Sequence, residues 1–273
     1  METIERIDDW RARYSRWRQG RGSETGAGHD PLGDDYPFVE NKRAPFRPLR
    51  RSLPMLNLAL ISSAGAYIDG TEPFDINAAE GDFSFREIPT QVEAEDLRFA
   101  ARGYDPAAVT EDINSQVPVP RLYEFSSNGI IGQLNPVWWS FNGFIPDAAR
   151  MAETMLPNLV ESVKRYEVQA ALLVPASRLC HQSVALAARA LEEAGVRTIM
   201  LAVARDVVES IRPPRAVYYD GETGSVAGRP LWPEHQRRIL DETLRLLESL
   251  DQPTVRKLAV ELETQVQNAR GER

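Results

Sequence analysis

The chain has 273 residues, 42% hydrophobic and 26% charged, with a formal net charge of −8 and an isoelectric point near 5.1. That is the make-up of a soluble globular protein with one large domain or two small ones, and its acidic balance argues against general nucleic-acid binding. The one cysteine excludes an internal disulfide or a cysteine-rich metal cluster, and no apolar run reaches the length of a membrane span. With no signal-peptide core in METIERIDDW, the expected location is the cytoplasm.

Residues 1–19 read as a helix. Trp10, Tyr14 and Trp17 share one face and Arg11, Arg13, Arg16 and Arg18 fill the rest, as in an arm that docks on the domain, on a second subunit, on a partner or on an anionic surface. Residues 20–52, rich in Gly, Pro and Arg, have no periodicity and read as a linker or a surface-wrapping segment. Leu56–Ser62 is expected to be the first buried strand, ending in Ser62, Ser63, Ala64 and Gly65, small residues that bring backbone amides close to a ligand or make a simple tight turn. Gly81–Pro89 alternates Asp82, Ser84 and Arg86 with Phe83 and Phe85, as in a short strand whose polar face binds a zwitterion or carries a surface ion pair.

Two short helices are expected over 105–129, a strand at Ile130–Leu134, and at Val137–Ile145 four aromatics around Asn142 and Gly143 that make either a core corner or the wall of a pocket. Pro146–Glu167 reads as a long helix kinked at Pro157. Ala170–Val174 is an apolar run of the kind buried in a parallel sheet, and a helix follows it with a stop at Gly195. The turn between them holds Ser177, Cys180, His181 and Gln182, at the carboxyl end of a strand, where α/β proteins bind ligands. A cysteine near a helix N-terminus also favours its thiolate; the plain alternative for Cys180 is a small buried apolar residue, and for His181 a cap or surface residue.

Thr198–Val203 and Ala216–Tyr219 are further strands with a helix at Asp206–Ile211 between them, and the glycine-containing loop 220–230 is placed over the strand ends. Pro233–Leu250 is a helix, and a last one is expected from Pro253 to about Asn268 with a fraying tail. The fold class is α/β, a mostly parallel sheet flanked by helices in the Rossmann-like or flavodoxin-like manner. The division is 1–52 as arm and linker, 53–250 as the α/β domain (one unit, or lobes 53–145 and 146–250) and 251–273 as C-terminal helix and tail. His29, His181 and His235 lack ligand spacing, so no metal site is expected, and no dinucleotide fingerprint or other cofactor motif is evident.

From L-A-L-I-S-S-A-G (58–65) through E-P-F-D (72–75), G-D-F-S-F-R-E-I-P (81–89), Y-D-P-A-A-V-T-E-D-I-N (104–114), V-P-V-P-R-L-Y-E-F-S-S-N-G-I-I-G (117–132), F-N-G-F (141–144) and V-P-A-S-R-L-C-H-Q (174–182) to P-P-R-A-V-Y-Y-D (213–220), the chain resembles a known family. It is the selenoprotein B family of glycine, sarcosine, betaine and D-proline reductases, and within it the short single-chain relatives. The resemblance covers most of the chain except residues 1–50 and the final helix.

The resemblance implies an oxidoreductase of small-molecule metabolism, in which a selenocysteine or cysteine in the turn after the central strand attacks the substrate and a C–N bond is reductively cleaved. Here the selenocysteine position falls on Ser177, with Cys180 three residues later. The first expectation is therefore an enzyme acting on a small amino-acid-like or amine-bearing compound, with Cys180 as nucleophile, His181 as proton partner and Ser177 as hydrogen-bonding group. Ser62, Ser63, Gly65, Asp82, Ser84, Arg86, Asn114, Arg121, Asn142 and Gln182 are the candidates to bind substrate, and the electrons would come from an external thiol or selenol on a redox partner protein. Two alternatives stand beside it: a lyase, isomerase or hydrolase using Ser177 with His181, and a catalytically silent binding or assembly subunit. A homo-oligomer is compatible with all three.

Overall fold

The computed structural model describes residues 2–21, 32–33 and 35–260. His29 and residues 261–273, which take in the second half of the expected last helix and its tail, lie outside them. Helix α1 (Ile7–Arg21) comes first, and residues 35–52 lead without helix or strand to a 3-10 turn (Leu53–Met55) and strand β1 (Asn57–Ser62). Then come β2 (Ala66–Ile68), β3 (Phe85–Pro89) and β4 (Leu97–Phe99), helices α2 (Ala107–Glu111) and α3 (Val119–Ser127), and strands β5 (Gln133–Leu134) and β6 (Val137–Phe141). A long helix runs through α4 (Ala148–Arg150), a π-helical turn (Met151–Met155) and α5 (Leu156–Arg165). The second half alternates β7 (Ala170–Val174), α6 (Arg178–Glu193), β8 (Arg197–Ala202), α7 (Arg205–Ile211), β9 (Arg215–Tyr218), α8 (Pro233–Ser249) and β10 (Thr254–Lys257).

The main sheet has the order β10-β9-β8-β7-β1-β6-β3, with β5 beside β1. Its neighbours are parallel except β3, which runs antiparallel to β6. The α/β reading with a mostly parallel sheet therefore holds. Strands β1 and β7 pair over Leu58–Ser62 and Ala170–Val174 and every one of these residues is buried, which is why both read as unbroken apolar or small-residue runs. One face of the sheet is covered by α1, α5, α6 and α7, the other by α3 and α8. The chain leaves β1 for β6 on one side and then crosses to β7 on the other, so the carboxyl ends of β1, β6 and β7 form a topological switch point, the place where open α/β sheets leave a crevice.

Several local expectations are corrected. Pro253 opens no helix: Thr254–Lys257 is an edge strand on β9, half exposed and polar, so it lacks the apolar signature of the inner strands. The strand expected over 81–89 begins only at Phe85, because Asp82 folds the preceding residues into a turn by accepting from the Asp75 and Ser84 amides. At Pro157 the helix widens into the π-helical turn just before it, which accommodates a ring that would clash with the carbonyl four residues back. The short antiparallel pair of β2 and β4 was not foreseen.

The segment before β1 wraps the surface. Trp10 and Tyr14 are buried and stacked, Tyr36 and Val39 are buried, and all four belong to the core on the α6 side of the sheet. Helix α6 is consequently buried nearly all round, and its outward polar residues are met by this segment in order along its length. Gln182 accepts from the Val39 amide at 2.8 Å, Arg189 donates to the Arg43 carbonyl at 2.6 Å, and Glu192 accepts from the Arg47 amide at 2.6 Å.

Candidate functional site

Ser177 ends the β7 turn in an extended conformation and caps α6, its Oγ accepting from the Cys180 amide at 3.2 Å. The same hydroxyl lies 3.0 Å from Cys180 Sγ, to which it donates. Both side chains are buried, 1% exposed each. The sulfur also faces the Ser63 carbonyl at 3.9 Å, at the end of β1. Ser63 ties the two strand ends together, its amide donating to the Val174 carbonyl and its Oγ accepting from the Ala176 amide, both at 3.1 Å.

The end of β6 closes the site from the other side. Gly143 approaches so closely that a Cβ there would lie 2.5 Å from Ser63 Cβ and 2.9 Å from Cys180 Sγ; only glycine leaves room for the sulfur. Asn142 holds this corner, accepting from the Phe144 amide at 3.0 Å and donating to the Ala100 carbonyl at 2.9 Å. Gly65, with φ +67°, passes against the Ala100 carbonyl, and the Tyr104 hydroxyl donates to the Ala64 carbonyl at 2.7 Å. Gly103 packs against the edge of the Phe144 ring, with its open side toward Ser177 Oγ. The loop expected to cover the strand ends does so: the Gly224 amide donates to the Ala176 carbonyl at 2.8 Å, and Val226 and Ala227 are buried.

Ser177, Cys180, Ser63, Gly65 and Asn142 thus come together, with Ser62 one residue back at the end of β1. The other candidates do not join them. His181 is buried with Nδ1 on the Ser177 carbonyl at 2.7 Å and Nε2 accepting the Val203 and Ala204 amides at 3.0 and 3.2 Å. Burial pushes its pKa down to about 4, so the ring is neutral and its two nitrogens hold backbone, not the thiol. Gln182 faces Val39 and the Tyr36 hydroxyl. Asp82, Ser84 and Arg86 form their own network beside Phe74, and Asn114 and Arg121 meet Asp112, Glu124 and Gln236 under the loop before α8. Sequence reasoning missed Gly103 and Tyr104, whose signal was a glycine beside an aromatic residue, and named Gly143 only as part of the aromatic corner, without its contact with the Cys180 sulfur. Among the described residues no group of three or more His, Cys, Asp or Glu could hold a metal ion.

The family model for the glycine/sarcosine/betaine reductase selenoprotein B matches residues 29–176. The D-proline reductase subunit gamma of Acetoanaerobium sticklandii is 32% identical over 200 residues, 73% of this chain and 81% of that protein. The chain belongs to the selenoprotein B family. The family match begins at residue 29, so it takes in part of the wrapping segment that the resemblance by motifs had left out, and it stops just before Ser177. Within the family the chain is also similar to the glycine reductase complex component B subunit gamma of Symbiobacterium thermophilum, 26% identical over 62% of this chain. The sarcosine reductase complex component B subunit beta of Peptoclostridium acidaminophilum is 24% identical over 67%. The matched region spans only 40% and 42% of the length of those two relatives. No solved structure matches. The names of these relatives describe subunits of reductases. Among the described residues no helix is long and apolar enough to cross a membrane.

Proposed function

We propose that this family member carries out the thiol step of a reductive C–N cleavage on a small amino-acid-like or amine-bearing substrate, with Cys180 as the reacting group. The observation that carries this reading is the Ser177 hydroxyl 3.0 Å from Cys180 Sγ, in the first turn of α6 and at the switch point of the sheet. A hydroxyl donor and the positive end of a helix dipole both stabilise a thiolate over a thiol. The thiolate attacks the carbon bearing the amine: a C–S bond forms, the C–N bond breaks, and the nitrogen leaves with the electron pair and takes up a proton. A second thiol or selenol then attacks the sulfur, the carbon departs with its electron pair and is protonated, and the two chalcogens remain joined as the oxidised product. Since Cys180 is the one cysteine of the sequence, that second group belongs to another molecule. A redox partner protein suits the relatives, which are named as subunits of reductases.

The geometry favours this over a Ser177–His181 hydrolase, because both ring nitrogens of His181 are engaged by backbone. The test is alkylation of Cys180 by iodoacetamide from pH 5 to 10, read by intact mass, in the wild type and in Ser177→Ala. The wild type is expected to be modified at Cys180 while folded, and Ser177→Ala to react more slowly at neutral pH because the hydroxyl that contacts the sulfur is gone. A Cys180 that stays unmodified until the protein unfolds would remove the thiol mechanism and leave a binding or assembly subunit.

A further inference from the structure

We infer that the amino end of the sheet, opposite the Cys180 turn, carries a binding site for a phosphate group, free or esterified, held by Arg50, Arg51 and Arg197. A cavity of about 270 Å³ opens there, lined by Leu49, Arg50, Arg51, Leu56, Gln169 and Arg197. Leu56 and Gln169 directly precede β1 and β7, and Arg197 begins β8. Cys180 lies past the other end of β7, a strand of 5 residues. At about 3.3 Å per residue the two places are at least roughly 16 Å apart, so this cavity is separate from the site described above.

Its lining offers donors and no carboxylate. Arg50 and Arg51 are exposed, and among the described residues neither side chain makes a hydrogen bond, an ion pair or a ring contact. Arg197 is half-buried and held in place, its Nε donating to the Pro48 carbonyl at 3.4 Å and one Nη to the Gly195 carbonyl at 2.8 Å, while its other Nη has no partner among the described residues. Gln169 accepts from the Asn57 amide through Oε1 at 3.0 Å, which leaves its NH2 group to donate. Acids outnumber bases 40 to 32 in this chain, and other surface arginines find them: Arg13 pairs with Glu40, Arg98 with Asp69 and Arg165 with Glu87. Three arginines around one space without an acid repel one another, and an anion between them relieves that repulsion.

Phosphate suits the set better than a carboxylate, because its oxygens point in several directions and accept from more than one guanidinium fork at once. A larger cavity of about 590 Å³ shares Leu56 and Gln169 and adds the side chains of Asn57, Gln133 and Glu167, which gives the organic part of a phosphate ester room and hydrogen-bonding partners. Arg50 and Arg51 belong to the wrapping segment and Arg197 to the sheet, so a bound phosphate ties the two together and stabilises the folded chain.

The test is calorimetric titration of the full chain at fixed ionic strength with inorganic pyrophosphate and, separately, with ADP. The proteins are the wild type, the double variant Arg50→Gln/Arg51→Gln, Arg197→Gln, and Arg245→Gln, which removes an exposed charge of α8 that pairs with Asp241. Both anions are expected to bind the wild type. The double variant and Arg197→Gln should each weaken binding roughly tenfold or more, the loss of charge-assisted contacts, and Arg245→Gln should stay within about twofold. Tighter binding of ADP than of pyrophosphate assigns the site to a phosphate ester, and the reverse order to a free polyphosphate. Arg50 and Arg51 have no partners to lose, so the double variant reads the site even if Arg197→Gln folds poorly. No binding of either anion at about 10 mM, or equal weakening in the double variant and in Arg245→Gln, would overturn the site.

Discussion

Ser177 does at one position what the sequence alone could not divide between two. Its Oγ satisfies the Cys180 amide as a helix cap and directs its proton at the Cys180 sulfur. The strand-turn-helix that holds the pair was legible because an apolar run, a polar turn and an amphipathic stretch follow in order. Gly143 was not, because its importance lies in what it touches across the sheet. It has no left-handed backbone angle to protect, so the cost of a side chain there is contact alone. Gly143→Ala is expected to destabilise the fold by about 1–3 kcal/mol, the range for overpacking a buried site, and to alter Cys180 alkylation because the added methyl meets the sulfur. Urea titration beside the alkylation assay checks this; an unchanged midpoint would mean that the strand ends separate more easily than their hydrogen bonds imply.

At the level of elements, α6 is the piece on which the rest depends. Its inner face was readable from Val184, Ala187, Ala188 and Leu191, but its outer face was not, because residues 36–47 cover it through side chain–backbone bonds that leave no pattern in sequence. Arg189 shows the kind of bond: its guanidinium reaches the carbonyls of Glu2, Thr3, Arg43, Ile211 and Arg212, and burial pulls its pKa down to about 10. Arg189→Met keeps the unbranched apolar stem of the side chain and removes the five donors, leaving carbonyls from three stretches of chain without their shared partner. The expected outcome is a loss of roughly 2–4 kcal/mol and protease cleavage within residues 2–47 before the rest of the chain is cut. Cleavage that starts in β7 or β8 would show that the wrapping segment is held by its aromatic residues instead. The edge strand β10 was missed for a related reason: Thr254–Lys257 is polar and half exposed, and pairing with β9 rather than burial makes it a strand.

For the whole molecule, the acid side of the stability curve follows from its histidines. His181 and His235 are both buried with pKa values pushed down to about 4, chiefly by loss of hydration. In the unfolded chain each protonates near 6.5, so between pH 6.5 and 4 the unfolded state binds more protons and stability falls as pH falls. For His181 alone the full loss is roughly 3 kcal/mol once pH is below the folded value. Unfolding free energies from urea titrations at pH 7.5, 6, 5 and 4.5 should decline steadily, and less steeply in His181→Gln. A flat profile over that range would show that the ring can be protonated in place. Neither histidine announced this in the sequence, where isolated rings at a helix start read equally well as caps, surface residues or acid–base groups.

The order in which α6 acquires its cover has a consequence for how the chain is made. The wrapping segment is synthesised first, but Gln182, Arg189, Glu192 and the Ile211 carbonyl that fix Val39, Asn41, Arg43 and Arg47 come from far later in the chain. Trp10, Tyr14, Tyr36 and Val39 therefore wait without their burial partners while most of the polypeptide emerges, and the closing contacts are among the longest-range in the molecule. During synthesis this makes an early segment among the last to be finished: its apolar side chains stay unburied until the sheet that follows it is complete.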